Sequence, residues 1–257
     1  MQPLVDGDIL VYRCGFAADS QMRQRIEAEG KTRQEAEETL LDLDYQAFAL
    51  GNAKTVLVSI EDKYGPINGH IYLTGKGNFR EQVATIKPYK GNRDAKHKPK
   101  YYKEIRDYML DVWAGKLVAG YEADDELGML QTYMGDNSII VTIDKDLDMI
   151  QGHHFNPTTG DQYYCSEQFA NSRFFWQMLV GDQVDNIPGI RGIGPKTADK
   201  IVEECRADVD AMRHVVQERY AKQYGEGWEE AYKEVGRLLW IARYPEEIEE
   251  GSPLLWS

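Results

Sequence analysis

Cysteine is scarce in this chain: Cys14, Cys165 and Cys205 are three residues in 257. They are odd in number and scattered, with no Cys-x-x-Cys pair, so neither a zinc site nor a disulfide framework is expected. Such usage fits a reduced, cytosolic setting. Long apolar runs are also missing. No stretch of about 18 apolar residues offers a membrane span. The opening MQPLVDGDILVYR lacks the basic-then-apolar pattern of a signal peptide. Positive charge is in deficit, with 30 Lys and Arg against 43 Asp and Glu, a net charge of −13. Taken alone, that deficit argues against nucleic acid, because phosphate binding usually needs cations. No Ser-His-Asp or Cys-His arrangement is supported. The adjacent His153 and His154 read as a surface turn. Internal repeats and low-complexity segments are absent.

What is present suits a core of some size. The chain is 42% hydrophobic, and its length fits one large α/β domain or a core with a small satellite. PLVDGDILVY, residues 3–12, reads as a short buried strand broken by Asp6 and Gly7. Residues 32–51 read as an amphipathic helix, with Thr32 and Glu35 as a capping box and Gly51 as a stop. Its apolar stripe is Ala36, Leu40, Leu43, Ala47 and Leu50. Strands are predicted at 54–60 and 69–74, helices at 102–114 and 123–134, and a strand at 138–143. This alternation predicts a mostly parallel sheet with helices on its faces. Near residue 180 the texture changes to a glycine-punctuated helical hairpin, followed by helix over 208–243. Trp240 is expected to pack back on the core, and Leu254, Leu255 and Trp256 to dock the acidic tail.

Acidic residues stand where an α/β fold collects its active site. Asp6 and Asp144 are placed at the carboxyl ends of strands, where ligands bind in open parallel sheets. Glu122, Asp124 and Asp125 open a helix. Asp146 follows Asp144, and Asp182 and Asp185 are spaced to share one helix face. Alone, EADD would serve as helix N-terminal charge favoured by the dipole, and Asp148 is assigned to the surface. Eight carboxylates in one cleft would repel one another unless cations bound them. Hard divalent ions such as Mg²⁺ prefer such oxygen ligands. A pair of them can activate water and stabilise the leaving oxygen in phosphoryl displacement.

Two further segments point to phosphate. In PGIRGIGPKTA, Gly189, Gly192 and Gly194 precede a helix whose first turn carries Pro195, Lys196 and Thr197. Gly189 and Gly194 have P-loop spacing, but Pro195 takes the place of the required lysine and no strand precedes the loop. The stretch 87–106 reverses the local charge with Lys87, Lys90, Arg93, Lys96, Lys98, Lys100, Lys103 and Arg106. Tyr89, Tyr101 and Tyr102 are interleaved and could stack on unpaired bases.

Taken in order, VDGDIL, GKGNFR, PYKGNR, EADDELG, TIDKDL and GDQVDNIPGIRGIGPKTA resemble the bacteriophage 5′-exonuclease and flap endonuclease family and the 5′-nuclease domain of bacterial DNA polymerase I. The resemblance implies a Rossmann-like mostly parallel sheet, a helical arch at about 85–115 within a core of residues 1–180, and a helix-hairpin-helix region at 181–257. It implies a metal-dependent 5′ nuclease acting on DNA with a free 5′ end, a flap or an overhang. Asp6, Glu122, Asp124 and Asp125 would ligate the catalytic Mg²⁺, for which Mn²⁺ could substitute. Asp144, Asp146, Asp182 and Asp185 would hold a second ion. Lys90 would approach the scissile phosphate with Tyr89 and Arg93 nearby. The hairpin would grip duplex backbone, with K⁺ as an optional companion. A monomer in the cytoplasm, of a host cell if the chain is viral, is expected, with replication proteins as further partners. One departure stands out: Thr74 falls near the slot of a family aspartate, which leaves open a non-catalytic DNA-binding module. An RNA-directed nuclease is a third option.

Overall fold

In the computed structural model, residues 1–28, 30, 42–93, 98–249, 254 and 256 are described. Strand β1 (Gln2–Asp6) runs straight into helix α1 (Gly7–Ala28), so the predicted strand over 3–12 ends at Asp6. Gly7 permits the sharp turn by close approach: a Cβ there would lie 2.7 Å from the Tyr72 carbonyl. Helix α2 (Asp42–Tyr64) packs on α1. It absorbs the segment 54–60 predicted as a strand, and Gly51 lies inside it. The β-branched residues of KTVLVSI suggested a strand, but buried Ala49, Ala53, Leu57 and Ile60 follow helical spacing, and tertiary packing overrides local preference. The proposed cap, Thr32 and Glu35, lies outside the described residues, as do Ala36 and Leu40.

Strand β2 (Ile71–Thr74), the short helix α3 (Arg80–Val83), helix α4 (Tyr102–Asp111) and strand β3 (Lys116–Val118) follow. Between α3 and α4 the described residues form turns, so α4 is the helical part of the predicted arch. Helix α5 (Ala123–Met134) matches its predicted span, and β4 (Ser138–Val141) lies within its own. A 3₁₀ turn (Asp146–Met149) leads to β5 (Gly152–Phe155) and β6 (Gln162–Cys165). His153 and His154 therefore sit in a strand rather than a surface turn, and His154 is fully buried.

The sheet order is β3-β2-β1-β4-β5-β6, parallel except for β6. The chain winds one way from β1 to β3 and the other way from β4 onward. The order thus reverses between β1 and β4, and a crevice is expected beyond the carboxyl ends of those strands. Helices α1, α2 and α4 share one apolar cluster with the sheet, and α5 packs in another with Leu4, Tyr72 and Ile140.

A third cluster joins helix α6 (Glu167–Val180) to α7 (Pro195–Glu204), α8 (Val209–Tyr224) and α9 (Trp228–Leu239). The packing of the C-terminal region thus begins with α6, ahead of residue 181. Between α6 and α7 lies a two-stranded ladder, β7 (Gly181–Asp182) and β8 (Ile187–Pro188). Trp240 packs edge-on against Phe174 and donates its indole N–H to Glu247 at 2.9 Å. Leu254 and Trp256 are buried, while Leu255 lies outside the described residues. No helix among the described residues is long and apolar enough to cross a membrane.

Candidate active site

The carboxyl ends of the central strands deliver the acids. Asp6 ends β1, buried, with one oxygen accepting from the Ile9 N–H at 3.1 Å and the other from the Thr142 hydroxyl at 2.7 Å. Just beyond β4, the Asp144 N–H donates to that same hydroxyl, and Asp144 Oδ1 accepts from the Asp146 N–H at 2.9 Å. Glu122 is the N-cap of α5, in a capping box with Asp125, and Asp124 stands in the first turn. Asp182 and Asp185 do not share a helix face as expected. They lie at a turn in which Asp182 Oδ1 accepts from the N–H groups of Val184 and Asp185.

One cleft is lined by Tyr89, Glu122, Asp124, Asp146, Asp182 and Asp185, with Arg80, Gln177 and apolar side chains from α9. Its electrostatics are those of crowded like charges in a dry setting. Burial pushes the Asp6 carboxyl up to about 7, against the Thr142 hydrogen bond and with added repulsion from Asp8 and Asp144. Burial also pushes Asp146 up to about 7, reinforced by Asp144 and Asp182 and opposed by Arg173. Asp124 is driven far above the usual carboxylate range by burial, then by Asp6, Asp144 and Glu122. Asp182 is raised by burial and by Asp185.

The basic segment enters from the side. The Lys90 ammonium pairs with Glu122 and lies 3.6 Å from Asp185. Burial works to lower it, but those two carboxylates outweigh burial and hold it charged. Burial likewise favours the neutral form of Glu122, yet Arg80 and Lys90 prevail and keep its carboxyl below the ordinary range. The Tyr89 hydroxyl lies 3.0 Å from a Glu122 oxygen and 2.9 Å from an Asp185 oxygen and shares its one hydrogen between them, and Arg93 pairs with Asp185. Lys90 adopts a left-handed backbone, φ 55°, uncommon for a residue other than glycine and a form of local strain seen at functional sites.

Not every predicted residue joins the cleft. Asp125 is fully buried and gripped by both terminal nitrogens of Arg80, at 2.6 and 2.9 Å. Its oxygens also accept from the N–H groups of Ala242 and Glu122. It is a strut between α5, α3 and the segment after α9, and we leave it out of the metal-ligand set. Gly189 packs its backbone against Val180 and Gly181, where any Cβ would collide at 2.2 Å, so its role is close packing. Gly192 has φ +83°, Gly194 caps α7, and Lys196 and Thr197 stand exposed on the first turn of that helix. Tyr101 and Tyr102 are not free to stack on bases: Tyr101 is buried against Tyr45, and Tyr102 packs on Tyr12. Arg106 is tied to Asp8 and the Thr74 carbonyl, and Lys103 pairs with Asp107. Lys96 lies outside the described residues.

Several positioning residues escaped the sequence reading. Asn78 donates to Glu122 at 2.9 Å, Gln177 to Asp146 at 3.2 Å, and Arg173 lies 3.5 Å from Asp146. Arg80 and Asn78 stand in GKGNFR, but no local pattern says which carboxylate they meet. Thr74 also gains a purpose. Its hydroxyl accepts from the Ala123 N–H at 2.9 Å, satisfying an orphan donor at the start of α5, and its own N–H donates to Asp8 at 2.7 Å.

No protein-family model matches the chain. It is 32% identical to a thermostable DNA polymerase I of Thermus caldophilus over 223 residues, 78% of this chain and 24% of the polymerase. It is 35% identical to a 5′-3′ exonuclease of Aquifex aeolicus over 98 residues, 33% of this chain and 34% of that protein. The chain thus spans about a quarter or less of the polymerases it matches. Among solved structures, the T5 5′-exonuclease with bound divalent metal ions (zinc) superposes with a TM-score of 0.60 at 17% identity, covering 96% of this chain and 94% of that one. The chain has the fold of that exonuclease, and the resemblance read from the motifs stands.

Proposed function

We propose that this chain is a divalent-metal-dependent nuclease that hydrolyses DNA phosphodiester bonds at or near a free 5′ end, as exonuclease or flap endonuclease. The observation that carries it is the gathering of Asp6, Glu122, Asp124, Asp144, Asp146, Asp182 and Asp185 about the crevice at the strand-order reversal, with Lys90 among them. The donor set fits hard cations: it is all oxygen, and burial and then mutual repulsion raise Asp6, Asp124 and Asp146 above the usual carboxylate range, a cost that a bound cation would offset. Asp6, Glu122, Asp124 and Asp144 are assigned to one Mg²⁺, and Asp146, Asp182 and Asp185 to a second, with Mn²⁺ able to replace either. Such ions supply water activation and charge compensation on the displaced oxygen.

The chain's own groups do the remainder. Lys90, released from Glu122, offsets charge on the scissile phosphate. Tyr89 and Arg93 orient Asp185 and flank the same phosphate. The exposed turn from Gly192 through Thr197 presents N–H groups and Lys196 to duplex backbone, with K⁺ as a companion ion. The polymerase and exonuclease relatives support DNA as substrate. Action as a monomer in the cytoplasm, beside replication proteins, completes the reading.

The test is incubation with 5′-flap and 5′-overhang DNA, with Mg²⁺ and with a chelator, beside substrates with an RNA 5′ strand. Product from DNA only with Mg²⁺ supports the proposal. Tight binding without product under any metal would instead identify a non-catalytic module, and preference for the RNA strand an RNA-directed enzyme.

A further inference from the structure

Away from the acidic cleft, the β5–β6 hairpin and the 3₁₀ turn enclose a second group of metal-binding side chains. Asp148, His154 and Cys165 each place a potential ligand atom within 4.8 Å of the others. The pairing register explains why. His154 faces Tyr163 across the antiparallel ladder, and Cys165, two residues on, projects from the same face. His154 is fully buried and Cys165 nearly so, with Asp148 half-buried at the rim.

Ordinary hydrogen bonding leaves this group incomplete. The His154 Nε2 lies 2.9 Å from the Ile150 carbonyl, which can only accept, so Nε2 carries the hydrogen and Nδ1 presents a lone pair. Among the described residues that buried Nδ1 has no partner, where buried polar atoms are normally satisfied. The Cys165 thiol reaches Asp148 at 3.8 Å, a long and weak contact. The Asp148 carboxylate is oriented by the Tyr163 hydroxyl at 2.8 Å, and the Tyr163 ring stacks on His154. A histidine whose second nitrogen donates to a carbonyl and a carboxylate held by a hydroxyl are the outer supports that metal ligands commonly have.

We propose that Asp148, the Nδ1 of His154 and the Sγ of Cys165 form a site for a transition-metal ion of the zinc type, separate from the acidic cleft and independent of the nuclease reading. Zn²⁺ takes carboxylate, imidazole and thiolate together, with water in a fourth position. Binding breaks the S–H bond of Cys165 and passes the proton to solvent, leaving a thiolate and a carboxylate that balance two positive charges. Mg²⁺ rejects such a mixed set, so the two sites sort metals by ligand softness. The scarcity of cysteine excludes a thiolate-rich site but not this one, which needs a single thiol. Asp148 shares its 3₁₀ turn with Asp146. An ion there braces that turn against the hairpin.

Metal-stripped protein is titrated with Co²⁺ in excess Mg²⁺, which competes for any all-oxygen site. One equivalent is expected to produce thiolate-to-cobalt charge-transfer absorption, lost in Cys165→Ser and kept in Asp124→Asn. Zn²⁺ is expected to raise the melting temperature of the wild type and not of Cys165→Ser. Should that variant fail to fold, Asp148→Asn at the half-buried rim replaces it, with an expected loss of Co²⁺ affinity of about tenfold or more. Absence of the charge-transfer band, its persistence without the Cys165 thiol, or unchanged affinity in Asp148→Asn overturns the site.

Discussion

Arg80 and Asp125 form a buried two-pronged ion pair, 2.6 and 2.9 Å, that ties α3 to the start of α5. The guanidinium also donates to the carbonyls of Leu238 and Trp240, leaving little of its donor capacity unmet. The pair binds the acid-bearing helix to the C-terminal helices, so that acids from both regions meet at one cleft. Removing either partner strands a buried charge, which costs roughly 3–5 kcal/mol. Arg80→Met and Asp125→Asn are therefore expected to lose stability by about that amount in urea denaturation. A drop in metal affinity at unchanged stability would return Asp125 to the ligand set.

Asp124 lines the cleft, and among the described residues it forms no ion pair. Asp124→Asn is expected to abolish cleavage while DNA affinity stays within a few-fold, measured by product formation and by anisotropy with labelled flap DNA. The metal-free variant should also melt no lower than the wild type, because the change removes a carboxyl disfavoured by burial and then by repulsion from Asp6 and Asp144. Loss of binding and cleavage to the same degree would remove Asp124 from the chemistry.

Lys90 is held charged by Glu122 and Asp185. Lys90→Ala keeps the left-handed backbone and its cost, and Arg80, Asn78 and Tyr89 remain about Glu122, so the variant should fold with a modest loss of stability. Single-turnover cleavage is expected to slow by on the order of 10²–10³, as for loss of one preorganised charge or donor. A wild-type rate would refute the assignment.

The raised acids predict how the metal-free protein responds to pH. Asp6 and Asp146 rise from 3.8 to about 7 on folding, so the folded state binds protons that the unfolded state has released. Their contribution is fully present below about 4 and is lost as pH climbs through about 7. In chelator, the melting temperature is expected to fall across that interval, and Mg²⁺ added at pH 7 should restore it. A melting temperature that rises over the same range in chelator, with no response to Mg²⁺, would count against the cation-binding cleft.

The Thr74 hydroxyl accepts from the Ala123 N–H at the start of α5. Thr74→Val is expected to cost about 1 kcal/mol in denaturation, the usual worth of such a cap. Thr74→Ser should retain the stability. Equal stability in all three proteins would show that the cap contributes nothing.

The sequence alone determined the class of fold and most of the acids. Strand ends at Asp6 and near Asp144, the helix opening at Glu122 and the glycines before Pro195 are local signals: apolar periodicity, capping residues and turn residues act over a few positions. Within helix α2 the segment 54–60 reads as a strand because its β-branched residues favour one locally, and only burial against α1 and the sheet chose helix. Partner choice was decided by the tertiary structure. Asp124 and Asp125 are chemically identical neighbours, yet successive helix residues point about 100° apart, so one meets the cleft and the other meets Arg80 from another part of the chain. The trio of Asp148, His154 and Cys165 was invisible for the same reason: strand pairing, not spacing along the chain, brings those atoms together.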